Sequence, residues 1–379
     1  MRPGGGPSGP GPEDSKNWPP GNADEAAPVA VAAVRPMANQ VTVNFKEWTV
    51  PTPKSHPHDP LAASDGSIWY TGQMANLLGR IDPKTGDIKE FKLKTAEFSC
   101  PLETVEADIG DLALDDPQSG PHGLTEDKDG NIWYTGNGNG TVGKLDPKTG
   151  AVTEYKMPDP AARDPHTPIF DQKGTLWFTL QQANMVGRLN PQTGEIKLVT
   201  MPTPRSLPYG MVISSKGVPF YVEFGANKVA SIDPDKMVIR EWTLPNADAR
   251  PRRLAIDATD VIWYSDYARG YLGRLDPKTG DVKEWASPGG ASSRPYGIAV
   301  INGDVWYSES GVTPNTLVRF EPATERFQVW NIPSGGGVVR NVSVTKDGNL
   351  AIAESGCLLN APDVYMDKLA IGPGCPPGT

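Results

Sequence analysis

Residues 122–157 alternate apolar and polar positions in four short runs. Residues 123–127 are mixed and close on the turn Lys128-Asp129-Gly130-Asn131. Residues 132–135, Ile-Trp-Tyr-Thr, are β-branched and aromatic and lead into a Gly/Asn loop. Residues 141–145 end at the turn Asp146-Pro147-Lys148-Thr149-Gly150, and residues 151–156 form the fourth run. Period-2 runs bounded by Gly, Pro, Asn and Asp predict strands, here a four-stranded antiparallel meander.

The pattern recurs. The second-strand aromatic falls at Trp69, Trp133, Trp177, Phe220, Trp263 and Trp306, with Ala351 at the equivalent place in a last copy. After a first interval of 64 residues the steps are 43 to 45. The third-strand turn returns as DPKTG at Asp82, Asp146 and Asp276, NPQTG at Asn190 and DPDKM at Asp233. Residues 41–50, VTVNFKEWTV, match a fourth strand that has no first three before it, and the last copy has three strands, ending near 368–371, with no fourth. Pairing the two closes a ring and leaves the array without an open end. The expected fold is all-β: a seven-bladed β-propeller of four-stranded antiparallel blades, closed by the N-terminal strand joining the last blade. The expected domains are a disordered Pro/Gly/Ala-rich segment at 1–40, too poor in apolar residues to order itself, and one propeller over 41–379.

Composition narrows the partners. A net charge of −9 without a basic stripe argues against nucleic acid, and no apolar run reaches the length of a membrane span. Three Cys are too few for a disulfide scaffold; Cys357 and Cys375 either bridge the final segment or stay free, and Cys100 is left over. The long first interval holds the insertion 95–120, with seven acidic residues and no basic one, which reads equally as a solvated loop or as a lid at one face of the ring. A monomer that meets a small molecule at the channel mouth is expected, periplasmic or secreted rather than cytoplasmic.

Eleven residues before the aromatic stand His58, His122, His166, Tyr209, Arg252 and Arg340, and ten before Trp306 stands Tyr296. Each starts an innermost strand, so all seven should surround the channel mouth. Three residues after the aromatic, where the second strand returns to the same face, stand Gly72, Gly136, Leu180, Glu223, Asp266, Glu309 and Glu354. Three of the four His of the chain thus share one repeat position, opposite four acids. A lone His there is more often structural, and repeat duplication copies residues that have no task. Three imidazoles leave an open position on a Zn-type ion, and carboxylates suit Mg-type ions. A His beside a carboxylate is instead a general base near neutral pH. The candidate catalytic residues are therefore His122, His166, Glu309 and Glu354, and the candidate ligands of a divalent metal are His58, His122 and His166. Arg252 and Arg340 either hold an anionic group or neutralise the acids, and Tyr209 and Tyr296 either donate a proton or, the more common role, line the substrate wall.

The repeat, seen in PHGLTEDKDGNIWYTG at 121–136 and PYGIAVINGDVWYSE at 295–309, resembles the virginiamycin B lyase (streptogramin lyase) family over residues 41–356. The resemblance implies a propeller and a metal-dependent lyase that opens a cyclic depsipeptide by elimination at its ester. It also implies a functional His in the sixth blade, a Glu-x-His in the seventh, and a Glu after the seventh blade's second strand. Here Tyr296 stands at the first place, Val338 and Arg340 at the second, and Glu354 matches the third. Elimination or hydrolysis of a small ester or lactone, and non-catalytic binding of a ligand or protein, are the two expected functions.

Overall fold

The computed structural model describes residues 41–93, 120–335, 337–355, 357–358, 361–365 and 368–372. Segment 1–40, the insertion 95–120 apart from Gly120, and the proposed Cys357–Cys375 pairing lie outside these residues.

The chain is an all-β propeller of four-stranded antiparallel blades. Six sheets each use four strands consecutive in sequence. The second blade, Pro121–Glu126, Ile132–Gly136, Thr141–Leu145 and Val152–Lys156, reproduces the four runs of its sequence. A further four-stranded sheet joins the two ends of the chain, in the order Lys46–Thr49, Lys368–Gly372, Leu350–Ser355, Val338–Val344. In it Lys46 lies opposite Ile371 and Thr49 opposite Lys368. The innermost strands pack against one another in chain order, and Val338–Val344 packs against Pro57–Ala62.

Burial follows position in the blade. The second strand, Ile132–Gly136, is buried along its whole length, because neighbouring blades cover both of its faces. The outer strand, Val152–Lys156, alternates half-buried and exposed residues. The aromatics fill the space between blades. Trp133 packs with Val142 and Leu176 and is 1 % exposed. Burying such a side chain contributes at most about 4–5 kcal/mol of transfer free energy. Its polar edge is satisfied, since Trp133 Nε1 donates to Asp127 at 2.8 Å and Tyr134 Oη to Glu154 at 3.0 Å. The next strand carries Gly143 because a Cβ there would lie 2.0 Å from the Tyr134 ring.

Each innermost strand of the six consecutive blades opens on a Pro, where no ladder donor is needed: Pro57, Pro121, Pro165, Pro208, Pro251 and Pro295. These residues sit opposite Gly72, Gly136, Leu180, Glu223, Asp266 and Glu309. A β-bulge follows at once in every case, and again after Val339 in the composite sheet. A bulge sets two residues against one and re-aims their side chains. Here it turns both the residue after the Pro and its successor toward the central channel.

Candidate functional site

The upper layer of the channel is the ring read from the sequence. His58, His122, His166 and Tyr209 follow one another with ring centroids 3.8, 3.6 and 3.7 Å apart. The arc continues through Arg252, whose guanidinium lies 5.2 Å from the Tyr209 ring, 4.2 Å from Phe224 and 4.5 Å from both Tyr267 and Tyr296. Tyr209 and Tyr296 share a hydrogen bond between their hydroxyls at 2.6 Å. Arg340 donates through Nη1 to Ser355 Oγ at 2.6 Å.

A second layer, one residue further along each strand, was not read from the sequence. Asp59 and Arg253 form a buried ion pair across the channel, with Nη2 at 2.9 and 3.2 Å from the two carboxylate oxygens. The Arg253 Nε also donates to the Arg340 carbonyl at 3.2 Å, and Nη1 to Thr167 Oγ1 at 3.2 Å. Asn341 Nδ2 donates to Asp59 at 3.1 Å, and His58 Nδ1 meets the other Asp59 oxygen at 2.9 Å. One guanidinium thus ties together the first, third and fifth blades and the composite sheet. Beyond this plug the channel opens into a cavity of about 330 Å³ with walls that include Leu61, Leu124, Ile169, Met211 and Ile298.

A hydroxyl two residues after the blade aromatic fixes the backbone of both layers. Thr71 Oγ1 accepts from the Asp59 amide at 3.0 Å and donates to the His122 carbonyl of the next blade at 3.0 Å. Thr135 links Gly123 to His166, Thr179 links Thr167 to Tyr209, Ser265 links Arg253 to Tyr296, and Ser308 links Gly297 to Val339. The fourth blade has Val222 at this place and the composite sheet has Ala353.

The imidazoles are neutral. Burial, first of all, drives His58, His122 and His166 well below the usual histidine range; Arg340 adds to this at His58, His58 at His122, and His122 at His166. His56, at the rim, is lowered to about 3 by burial and by Arg340. Each Nδ1 has a different fate. That of His58 meets Asp59, that of His166 meets Thr167 Oγ1 at 3.1 Å, and that of His122 is buried without a hydrogen-bond partner.

The four acids expected opposite the histidines start from the same end of their blades but bond elsewhere. Glu309 accepts from Ser287 Oγ at 2.5 Å, the Gly289 amide at 2.8 Å and Thr316 Oγ1 at 2.6 Å. Asp266 accepts from the Arg250 amide and from Arg269, and Glu354 from Ser334 Oγ. Glu223 is buried beside Ser206 and Glu241, and burial, reinforced by Glu241, pushes it up to about 8. Glu309, Asp266 and Glu354 thereby anchor the segments that enter their own blades, whereas both Glu223 oxygens are buried without a hydrogen-bond partner. The carboxylate that meets a ring histidine is Asp59. His58, Asp59 and His122 are the described residues whose ligand atoms all lie within 4.8 Å of one another; His166 is not part of that group.

One signal for the second layer is present in the sequence. The residue after the ring position is Gly123, Gly210 and Gly297 in three blades, where the neighbouring strand comes close: a Cβ on Gly123 would lie 2.4 Å from the His166 carbonyl oxygen. Asp59, Thr167, Arg253 and Asn341 break that run of glycines with polar side chains.

The model of the virginiamycin B lyase family matches residues 101–320. Among solved structures, a streptogramin B lyase superposes with a TM-score of 0.73 at 23 % identity, covering 88 % of this chain and 98 % of the other. Virginiamycin B lyase from Staphylococcus aureus gives 0.72 at 21 %, covering 87 % and 99 %. Hydrazine synthase of Kuenenia stuttgartiensis gives 0.62 at 12 %, covering 84 % and 97 %, a likeness of fold. No curated protein sequence matches. Among the described residues no helix is long and apolar enough to cross a membrane.

Proposed function

The chain belongs to the virginiamycin B lyase family, and from that premise we propose that its central funnel binds a small ester or lactone and opens it by elimination or hydrolysis. We read the ring as seven-bladed, with the composite sheet as the last blade and Lys46–Thr49 as its clasp. One observation supports chemistry at the funnel above the rest: the buried, neutral His122 has an Nδ1 without a partner. A neutral imidazole accepts a proton only at the ring nitrogen that lacks one, from a group brought within about 2.6–3.2 Å, and the unsatisfied Nδ1 marks His122 as the histidine with a hydrogen bond still to make. His166 packs on His122 and is the second candidate, while Tyr209, Tyr296, Arg252 and Arg340 form the wall against which the substrate lies. Glu309 and Glu354 serve as positioning residues through the segments they bond.

The divalent ion of the resembled lyases fits this donor set poorly. His58, Asp59 and His122 would be its ligands, but Arg253 already holds both Asp59 oxygens and a guanidinium repels a cation. Binding of a metal here requires Arg253 to leave Asp59, and a titration showing one bound equivalent, lost in His58→Ala, would establish it.

Non-catalytic binding is the second reading. Tyr296, Val338 and Arg340 favour it, because they occupy the places where the resemblance implies His and Glu-x-His. The two readings part in one assay: wild type and His122→Gln against a streptogramin B depsipeptide and a panel of small lactones, with ligand binding measured in parallel. Turnover that falls at least tenfold in the variant while binding persists supports catalysis; binding without turnover in the wild type supports the second reading.

A further inference from the structure

Two guanidiniums, Arg252 and Arg340, stand at the channel mouth, and a third, Arg253, lies in the layer beneath with the carboxylate of Asp59. Ion pairs among the described residues give Arg253 its Asp59 and give Arg252 and Arg340 none. The Arg252 Nε is buried without a hydrogen-bond partner. Both arginines lie beside the same tyrosines, Tyr209, Tyr267 and Tyr296, and Arg340 feels the charge of Arg252 there. Burial draws the Arg340 guanidinium below its ordinary range, and Arg252 adds to the effect. The surrounding imidazoles carry no charge to offset or worsen this. Elsewhere the chain is acidic, with a net charge of −9. Within this acidic molecule Arg252 and Arg340 are thus a local pair of cations without an ion-pair partner among the described residues, and their near field attracts an anion.

Two half-buried, unpaired cations in a narrow chamber repel each other and give up hydration. An anion between them relieves both costs. Its shape is set by the walls. Phe224 and Tyr267, both half-buried, flank the Arg252 guanidinium, and the exposed Arg294 stands at the rim, 5.8 Å from the Tyr267 ring. Forked N–H groups match the two oxygens of a carboxylate, while the aromatic walls suit a flat apolar frame rather than a bare inorganic ion.

We infer that the funnel binds an organic carboxylate borne on an apolar or aromatic frame, with its oxygens between Arg252 and Arg340 and its frame against Phe224 and Tyr267. This rests on the funnel being the ligand site, and it narrows the substrate class to one that carries a negative charge. It holds whether or not the bound molecule is turned over.

The test is calorimetric titration of the full chain with benzoate, benzamide and inorganic phosphate. The proteins are wild type, Arg252→Gln, Arg340→Gln, Arg340→Lys and Tyr267→Ala, each checked for a native melt. Benzoate is expected to bind wild type, with benzamide and phosphate each about tenfold weaker or worse, a difference of about 1.4 kcal/mol. Arg340→Gln should weaken benzoate about tenfold, and Arg340→Lys, which keeps the charge but loses the fork, should weaken it less. If Arg252→Gln does not fold, the Arg340 pair carries the test. Benzamide binding as tightly as benzoate, and lost in Tyr267→Ala, overturns the anion while keeping the funnel. Phosphate matching benzoate overturns the apolar frame. Benzoate binding that survives every substitution places the site elsewhere and removes the funnel reading itself. No benzoate binding to native wild type overturns the proposal.

Discussion

The ring has two halves that share one backbone geometry and differ in how they carry charge. In the first three blades the ring position holds His58, His122 and His166; further on it holds Arg252 and Tyr296 in the fifth and sixth blades and Arg340 in the composite sheet, and Tyr209 stands at the border. Every one of these side chains sits at the bulge near the start of its innermost strand. Burial acts on both halves. The imidazoles respond by giving up their protons and stacking at about 3.6–3.8 Å. The guanidiniums cannot respond in that way, since their protons are held too tightly to leave near neutral pH. They remain charged and take aromatic faces, a hydroxyl or, for Arg253 alone, a carboxylate. One site in a fold thus yields a neutral arc or a cationic arc according to whether the residue can discharge.

The sharpest way to break this contrast is Asp59→Ala. It strips Arg253 of its carboxylate while leaving that guanidinium buried, and should destabilise the chain by about 3–5 kcal/mol in chemical denaturation. A loss under about 1 kcal/mol would mean that the cationic arc tolerates unpaired charge at the plug as well as at the mouth. The neutral arc is tested by pH. In the unfolded chain each imidazole takes up a proton near pH 6.5, whereas the folded one, with its lowered affinity, stays neutral. The unfolded state therefore binds more protons as pH falls, and stability should drop below about pH 6.5 by about 1.4 kcal/mol per pH unit for each histidine. Denaturation of His166→Gln at pH 7.5 and 5.5 should show that slope reduced by one histidine's share; an unaltered slope would show that His166 is protonated in the fold. The smallest effect belongs to the border. Tyr209→Phe removes the 2.6 Å hydroxyl contact with Tyr296 and should cost about 1 kcal/mol, with Tyr296→Phe adding little once it is gone.

Period and spacing made much of this legible. Turn residues and two-residue alternation marked the strands, and a constant offset from Trp69, Trp133 and Trp177 brought three distant histidines to one layer. The second layer escaped for a physical reason. In a regular strand, neighbours point to opposite faces, so Asp59 and Arg253 should have faced away from whatever His58 and Arg252 faced. The bulge cancels that rule, and nothing in local alternation announces a bulge. The acids were placed at the right end of their blades, but their partners, Ser287, Gly289 and Ser334 among them, lie in connecting segments of irregular length that no repeat period describes.

The hydroxyl links between blades carry a mechanical consequence. They run without interruption from Thr71 through Thr179 and resume from Ser265 through Ser308, but Val222 and Ala353 supply no hydroxyl. The linked strands of the propeller's inner wall accordingly fall into two groups, the first four blades and the fifth and sixth with the composite sheet. One group ends on the fourth blade and the other begins on the fifth, the blade that sends Arg253 across to Asp59 on the first. The distance between the two groups is then gauged by the side chains that span it: Arg253 on Asp59 and Thr167, Asn341 on Asp59, and the hydroxyl pair of Tyr209 and Tyr296.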